Sequence, residues 1–364
     1  MTVAFHVLSV VAGAAVVLST VLSAVATFVV PRGVAARLTR IVFLAMRRVF
    51  DVRLKLIRTY EEGESIMAWY APLSLLMLVG IWLALIVGGF TAIFRGLGVP
   101  NWGTAFATAG SSLTTLGIEP VDGVWRQSAA FTDAALGLLL LALLITYLPT
   151  IYASFQRREA ITSRAAMQAG SPPSGVSLLE RFHSISGFDE LESQVWQPWI
   201  AGFVDLEESH TSMAALPFFR SPRPDRHWVT SAGAVLDAAS LRVSVVDGPR
   251  EPSAELCVRS GFLALRHVAE FFAIEYDPDP QRGDPISITR EEWELARDRL
   301  RAAGVAVRED VEESWLDFTG WRVNYDAVLL ALARLVRAPY APWISDRGGT
   351  RRHHPPVFGS RRKR

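Results

Sequence analysis

Three long apolar stretches within the first 155 residues set the strongest limit on how this chain folds. They cover residues 7–30, 66–90 and 134–155. A helix needs about 20 apolar residues to cross a hydrocarbon layer about 30 Å thick, and each stretch has that length. The sequence therefore predicts three transmembrane helices. The first is expected to be retained, because no basic residue precedes it as in a secretory signal.

The basic residues predict how these helices are oriented. Lys and Arg accumulate on the cytoplasmic side of membrane proteins. Only Arg95 and Arg126 lie between the second and third stretches, and three arginines closely follow the third. The loop between the first two stretches carries Arg32, Arg37, Arg40, Arg47, Arg48, Arg53, Lys55 and Arg58. This pattern predicts a multi-pass plasma-membrane protein with its N-terminus outside and its C-terminal part in the cytoplasm.

The basic loop itself is expected to form an interfacial helix. Several of its charges, including Arg40, Arg47 and Lys55, recur at intervals close to three and a half residues, which gives one basic face and one apolar face. Such a helix lies in the headgroup plane and binds anionic lipid. The alternative is a voltage sensor, which would need arginines inside an apolar span.

A polar but uncharged stretch, residues 96–118, separates the second and third apolar stretches. Pro100 and Asn101 are suited to begin a short helix that runs toward Ser112, with the Asn101 side chain as its N-cap. Non-helical backbone at membrane depth must be buried in protein or line a water-filled path. The C-terminal end of a helix that enters from outside favours a cation. The alternative is a simple external loop.

The residues after this short helix resemble a known filter. Two-transmembrane-pore (ion-transport type 2) potassium channels of bacteria carry Thr-Val-Gly-Tyr-Gly after a further Thr, and residues 72–158 are similar to their pore module. The resemblance implies an all-α membrane fold with a re-entrant pore helix, a filter of backbone carbonyls, K⁺ as the permeant ion and a homotetramer around one pore. The filter residues would be Thr114, Thr115, Leu116, Gly117 and Ile118.

Two departures from the family pattern narrow this expectation. Ile118 replaces the usual Tyr or Phe, and Glu119 replaces the second glycine. A glutamate adopts the backbone angles of that glycine only at a cost of about one to a few kcal/mol. Glu119 and Asp122 would form acidic rings at the outer mouth of a fourfold pore and concentrate cations there. Cation permeation is therefore better supported than strict potassium selectivity.

The third apolar stretch is expected to hold the gate. Gly137 corresponds loosely to the flexible glycine of the family's inner helix. Pro149 removes a helix hydrogen bond and predicts a kink that shapes a cytoplasmic gate around Tyr147 and Ile151.

The second half predicts a mainly helical cytoplasmic domain. Residues 177–180 and 289–292 both match a capping box at the start of a helix, and at most a minor strand is expected at 241–246. The predicted divisions are 1–65 for the first membrane helix and basic helix, 66–158 for the pore module, 159–176 for a linker, 177–345 for the cytoplasmic domain and 346–364 for a disordered basic tail.

The second half offers little chemistry. Glu207, Glu208, His210 and His227 are expected to be solvated loop residues rather than metal ligands, and Cys257 an inert buried thiol. The aromatic and basic residues 218–228 are equally compatible with a surface that faces a partner or the membrane and with a packed loop. The chain is therefore predicted to be no enzyme, to need no cofactor or resident metal, and to bind no nucleic acid.

The sequence is compatible with two functions. The favoured one is a passive cation channel, with potassium as the expected ion, formed by a homotetramer. The alternative is a membrane-anchored signalling or scaffold protein that acts through its cytoplasmic domain.

Overall fold

The structure, a computed structural model, describes residues 3–28, 30, 37–54 and 60–346. These residues form an all-helical fold in which no β-strand occurs. The first half contains α1 (Val3–Phe28), α2 (Arg37–Leu54), α3 (Tyr60–Ala68), α4 (Tyr70–Gly96), α5 (Trp102–Leu113) and α6 (Val124–Ala169). The second half contains α7 (Gly175–Ser186), α8 (Gln197–Ser212), α9 (Trp228–Ser244), α10 (Pro252–Phe271), α11 (Arg290–Ala302), α12 (Val311–Arg322) and α13 (Asp326–Val336).

Within the part of the chain that the structure describes, three helical segments are long and apolar enough to cross a membrane. They are Val3–Phe28, Glu62–Gly96 and Val124–Ala169. The second segment joins α3 to α4. The three predicted apolar helices are thus confirmed as helices, each extending beyond the apolar stretch at one end or both. Arg32, Lys55, Arg58 and the predicted tail after Asp346 lie outside the described residues.

The chain divides into two compact units. The first contains Met1–Ile57, Trp69–Ala153 and Ser212–Leu216, and the second contains Arg58–Ala68, Ser154–Thr211 and Pro217–Arg364.

Glycines bring α1 and α4 of the first unit into close contact. A Cβ atom on Gly13 would lie only 2.4 Å from the Gly89 carbonyl oxygen, so a side chain there would force the helices apart. The Ser9 hydroxyl donates a hydrogen bond of 2.9 Å to the Ala92 carbonyl across the same interface. Small residues allow membrane helices to approach this closely, and van der Waals contact and such hydrogen bonds then hold them together.

The basic helix α2 packs on the beginning of α4. Tyr70 donates a hydrogen bond of 3.0 Å from its hydroxyl to the Phe43 carbonyl, and its ring contacts the rings of Phe43 and Phe50 edge to face. Arg40 and Arg48 are exposed on α2, as are the apolar side chains of Ile41, Leu44, Val49 and Val52. The predicted helix is confirmed, and its exposed surface carries both charge and apolar area.

The second unit is built around α9, which is buried along nearly its whole length. Helices α7, α10, α12 and α13 pack against it. Arg322 lies in this core, fully buried, and bonds the carboxylates of Asp237 and Asp326. A buried cation requires such paired partners, because desolvating an unpaired charge is costly.

One of the two predicted capping boxes is confirmed. The Thr289 hydroxyl accepts a hydrogen bond from the Glu292 N–H, and the Glu292 carboxylate accepts one from the Thr289 N–H. The box predicted at 177–180 is wrong, because α7 already begins at Gly175. A Cβ atom at Gly175 would lie 2.6 Å from the Ala238 nitrogen, so close packing on α9 determines where this helix starts.

Two further expectations differ from the structure. Residues 241–244 of the predicted minor strand complete α9, and only Val246 forms an isolated antiparallel bridge, with Val307. Residues 159–169, expected in the linker, are helical in α6 and leave only 170–174 between α6 and α7. Apolar residues recur at helical spacing after Arg158, so α6 continues through a region that composition alone predicted to be a linker.

Candidate functional site

The short helix predicted in the uncharged stretch is present as α5. Its N-cap is Asn101, whose side-chain oxygen accepts a hydrogen bond of 2.8 Å from the Thr104 N–H. The helix packs on α4, with Ala105 and Ala109 fully buried, while Phe106 on another face is largely exposed. The predicted start and N-cap of this helix are confirmed.

The chain turns back directly after α5. The Thr114 hydroxyl donates to the Gly110 carbonyl at 2.6 Å, and the Leu116 N–H donates to the Ser111 carbonyl at 2.9 Å. We refer to residues 114–118 as the turn-back loop. These bonds use carbonyls from the last turn of α5 that have no partner within the helix, as at any helix C-terminus.

Ser111 holds the far end of the turn-back loop. Its hydroxyl oxygen accepts a hydrogen bond of 2.9 Å from the Ile118 N–H and a longer one, 3.4 Å, from the Glu119 N–H. Ser111 is not among the residues predicted to form the site. A serine near the end of a half-helix has no distinctive spacing, so no sequence pattern indicates this role.

The backbone of the turn-back loop alternates in handedness. Thr115 has a φ of 55° and Gly117 a φ of 69°, whereas Leu116 and Ile118 between and after them do not have positive φ. Positive φ is costly for a β-branched residue such as Thr115. Thr115 directly follows the C-cap of α5, and the bonds from the Leu116 N–H to the Ser111 carbonyl and from the Thr115 N–H to the Ser112 carbonyl form a common helix-ending motif in which this position is left-handed. Glu119 has no positive φ either, so it does not adopt the conformation expected of the glycine it replaces.

The turn-back loop is exposed in the protomer. The side chains of Leu116 and Ile118 are 64% and 66% exposed. Of the two predicted outer-mouth acids, Glu119 is half-buried and Asp122 is exposed. The structure thus brings all five predicted filter residues into one exposed turn, with both acids following it.

Gly137 lies at a close helix contact. A Cβ atom at this position would lie 2.3 Å from the Leu113 carbonyl oxygen at the end of α5. This glycine lets α6 touch the C-terminus of α5, a role different from the flexible hinge that the resemblance implies.

The predicted gate residues lie on different faces of α6. Tyr147 and Ile151 are buried, and the Tyr147 ring lies 4.5 Å from the Phe28 ring, centroid to centroid. Pro149 is exposed inside a helix that continues through it. Tyr147 and Ile151 therefore face the interior of the protomer, while Leu148 and Tyr152 form the exposed face.

Two histidines in the second unit are buried, contrary to the prediction of solvated loops. His210 and His227 are almost completely inaccessible. Burial lowers the pKa of both, and the nearby guanidinium groups of Arg158 and Arg220 lower the pKa of His227 further. Helix α8 and the N-cap of α9 hold these histidines beside Trp228, a tertiary contact that local spacing does not reveal. Among the described residues, no group of three or more His, Cys, Asp or Glu is arranged to hold a metal ion.

Several of the aromatic and basic residues 218–228 pack into the second unit. Phe218 contacts Phe272, and the Trp228 indole donates to the Pro217 carbonyl at 3.1 Å. Arg220 is 9% exposed and pairs with Glu64. The packed-loop alternative thus holds for Phe218, Arg220 and Trp228, whereas residues 222–225 are exposed. Cys257 is also buried, as predicted, and burial raises the pKa of its thiol.

The described residues define a class in broad terms: an all-helical fold with three helices long and apolar enough to span a membrane. No protein-family model matches the chain, and no curated protein or solved structure is significantly similar to it.

Proposed function

We propose that this protein is a passive cation channel of the plasma membrane, assembled as a homotetramer around the turn-back loop. Its N-terminus lies outside and its second unit in the cytoplasm, in line with the distribution of basic residues. Four copies are required because each chain supplies one loop, and one loop cannot encircle an ion.

The observation that carries the proposal is the backbone of the turn-back loop. The loop is exposed and non-helical, it follows directly on the C-terminus of α5, and it has positive φ at Thr115 and Gly117. In an assembly of four chains, its backbone carbonyls are proposed to line the ion path. Carbonyl rings of this kind replace the hydration shell of an ion in channel filters.

The electrostatics of this region favour a cation. Residues 96–118 contain no charged side chain, and α5 ends at Leu113 immediately before the loop. The unpaired carbonyls at a helix C-terminus carry partial negative charge, equivalent to about half an elementary charge. Glu119 and Asp122 follow the loop and add acidic groups at its outer end.

Potassium is the expected ion by resemblance. Ile118 and Glu119 differ from the family's filter, so the resemblance favours cation permeation more strongly than potassium selectivity. The ratio of potassium to sodium permeability measures this directly.

The test is cation flux into proteoliposomes that contain the purified protein. We expect flux in the parent protein and its loss in Gly117→Ala, because an alanine disfavours the left-handed backbone at this position. The matched control is Gly187→Ala, since Gly187 in the second unit has a similar φ of 61° and equally open surroundings. Flux is also compared between Thr115→Ala in the loop and its control Thr211→Ala, which removes a threonine hydroxyl from α8.

The channel proposal fails if the parent protein supports no flux, or if both loop variants conduct like their controls. Retained assembly of the loop variants, measured by size, separates loss of conduction from loss of folding.

A further inference from the structure

Asp133 is the most unusual polar residue of the first unit. Its side chain is 0% exposed, and neither carboxylate oxygen has a hydrogen-bond partner among the described residues. Buried polar groups without partners are rare in proteins, because losing water without gaining a hydrogen bond is unfavourable. Ionisable residues within membrane helices mark functional positions by default.

The position of Asp133 on α6 is one helical turn before the contact of α6 with the end of α5. Asp133 and Gly137 are four residues apart and therefore share one face of the helix. Gly137 lies against the Leu113 carbonyl at the end of α5. Asp133 is about 6 Å nearer the N-terminus of α6, at 1.5 Å per residue. Ser111 lies two residues before Leu113, and the Ile118 and Glu119 N–H groups return to its hydroxyl, so the end of the loop lies beside this last turn of α5.

Ser111 offers the matching donor on α5. It is almost fully buried, and its oxygen accepts from the Ile118 and Glu119 N–H groups. A hydroxyl also carries one hydrogen to donate. No acceptor for that hydrogen is found among the described residues. Within the described part of the chain, Ser111 on α5 thus has a buried hydrogen without an acceptor, and Asp133 on α6 has buried oxygens without a donor.

We propose that Asp133 is a positioning residue for the conduction loop, acting through Ser111. Its carboxyl group accepts the Ser111 hydroxyl hydrogen through one bridging water molecule, and so directs the serine lone pairs at the Ile118 and Glu119 N–H groups. A carboxyl group can accept in this way whether it is ionised or protonated. The inference deepens the proposed function, since it assigns Asp133 to the support of the same loop.

The experiment is hydrogen–deuterium exchange on the full-length protein in lipid nanodiscs. We expect Asp133→Leu to raise exchange of the peptide segment 116–121 about tenfold, the factor that corresponds to losing one hydrogen bond. Ser111→Ala is expected to have an effect of similar size. Asp133→Asn, which keeps an acceptor oxygen in the same place, should retain most of the protection.

The double variant provides the decisive comparison. If Asp133 acts through Ser111, combining Ser111→Ala with Asp133→Leu adds no further exchange, because coupled residues are not additive. Thr132→Ala, one position away on α6 with a hydroxyl bonded only within its own helix, is the control. Unchanged exchange in Asp133→Leu, or effects that add in the double variant, would overturn the proposal.

A second readout covers the case in which Asp133→Leu does not fold. The infrared carboxyl band that disappears in Asp133→Asn belongs to this residue, and Ser111→Ala should shift it. An unshifted band overturns the link. Neither readout needs ion flux, so a protein that shows coupling but does not conduct would refute the channel proposal alone.

Discussion

At the residue scale, the buried histidine pair makes the second unit sensitive to acid. His210 and His227 lie beside the guanidinium groups of Arg158 and Arg220, and burial is the largest cause of their lowered pKa. Both are therefore neutral in the folded protein at pH values where the unfolded chain has begun to take up protons. In that range the unfolded state binds more protons than the folded state, so acid favours unfolding.

The expected result is a loss of stability as the pH falls below about 6.5, the ordinary histidine pKa. Each histidine contributes a slope of at most about 1.4 kcal/mol per pH unit. Thermal unfolding of the full-length protein between pH 7.5 and 5.5, followed by tryptophan fluorescence, measures it. His227→Asn should reduce the slope, because asparagine can still cap α9 but does not titrate.

His267→Gln is the control for this prediction. His267 is exposed and pairs with Glu207, so its loss should leave the acid sensitivity of the buried pair in place. A stability that is independent of pH below 6.5 would contradict the assignment of neutral buried histidines.

Gly137 gives a second prediction at this scale. Gly137→Ala places a methyl group 2.3 Å from the Leu113 carbonyl oxygen, so α6 and α5 must separate. Overpacking of this kind costs about 1–3 kcal/mol. We expect lower thermal stability together with reduced flux. The control is Gly88→Ala, because Gly88 has no atom within 4 Å of its added Cβ position. Equal stability of the two variants would argue against the close contact.

At the element scale, α2 is the segment most suited to bind lipid. Its exposed surface combines arginine with aliphatic side chains, the composition of a helix that lies at a membrane surface. Each basic residue near an anionic surface contributes about 1 kcal/mol. Replacing Arg40 and Arg48 by Gln should therefore reduce retention of anionic lipid in native mass spectrometry. Replacing Arg299 and Arg301 of α11 provides a charge-matched control, and an equal effect of both pairs would contradict the assignment.

The elements show what the sequence predicts well and what it does not. The caps at Asn101 and Thr289 were predictable, because a cap depends on a few adjacent residues. The same pattern at Ser177 gave no cap, because the packing of Gly175 on α9 determines where α7 starts.

The candidate site follows the same division. Its residue content and the helix before it could be read from composition and local pattern. Ser111 could not, because a serine near the end of a helix has no distinctive spacing, and the burial of Asp133 and the contact of Gly137 could not, because both depend on how helices pack. The buried state of His210 and His227 is likewise a tertiary property, since polar spacing alone predicts exposure.

At the scale of the whole molecule, the number of copies separates the two functions under consideration. A pore made from one loop per chain requires four chains. The second unit has its own hydrophobic core, which is the observation that favours a scaffold role for this part. Mass measurement in detergent is expected to give a tetramer. A monomer or dimer, together with partner binding by the second unit, would support the scaffold instead.

The most direct test of the conduction pathway introduces a cysteine into a chain whose single native cysteine is buried. Cys257 is fully buried, so Ile118→Cys adds one reactive thiol at an exposed loop position. Leu295→Cys in α11, 71% exposed, is the control. In planar bilayers, a membrane-impermeant cationic thiol reagent added to the external side should reduce cation current through Ile118→Cys and leave the control unchanged. A fully modified Ile118→Cys protein with unaltered current would contradict a pathway through the turn-back loop.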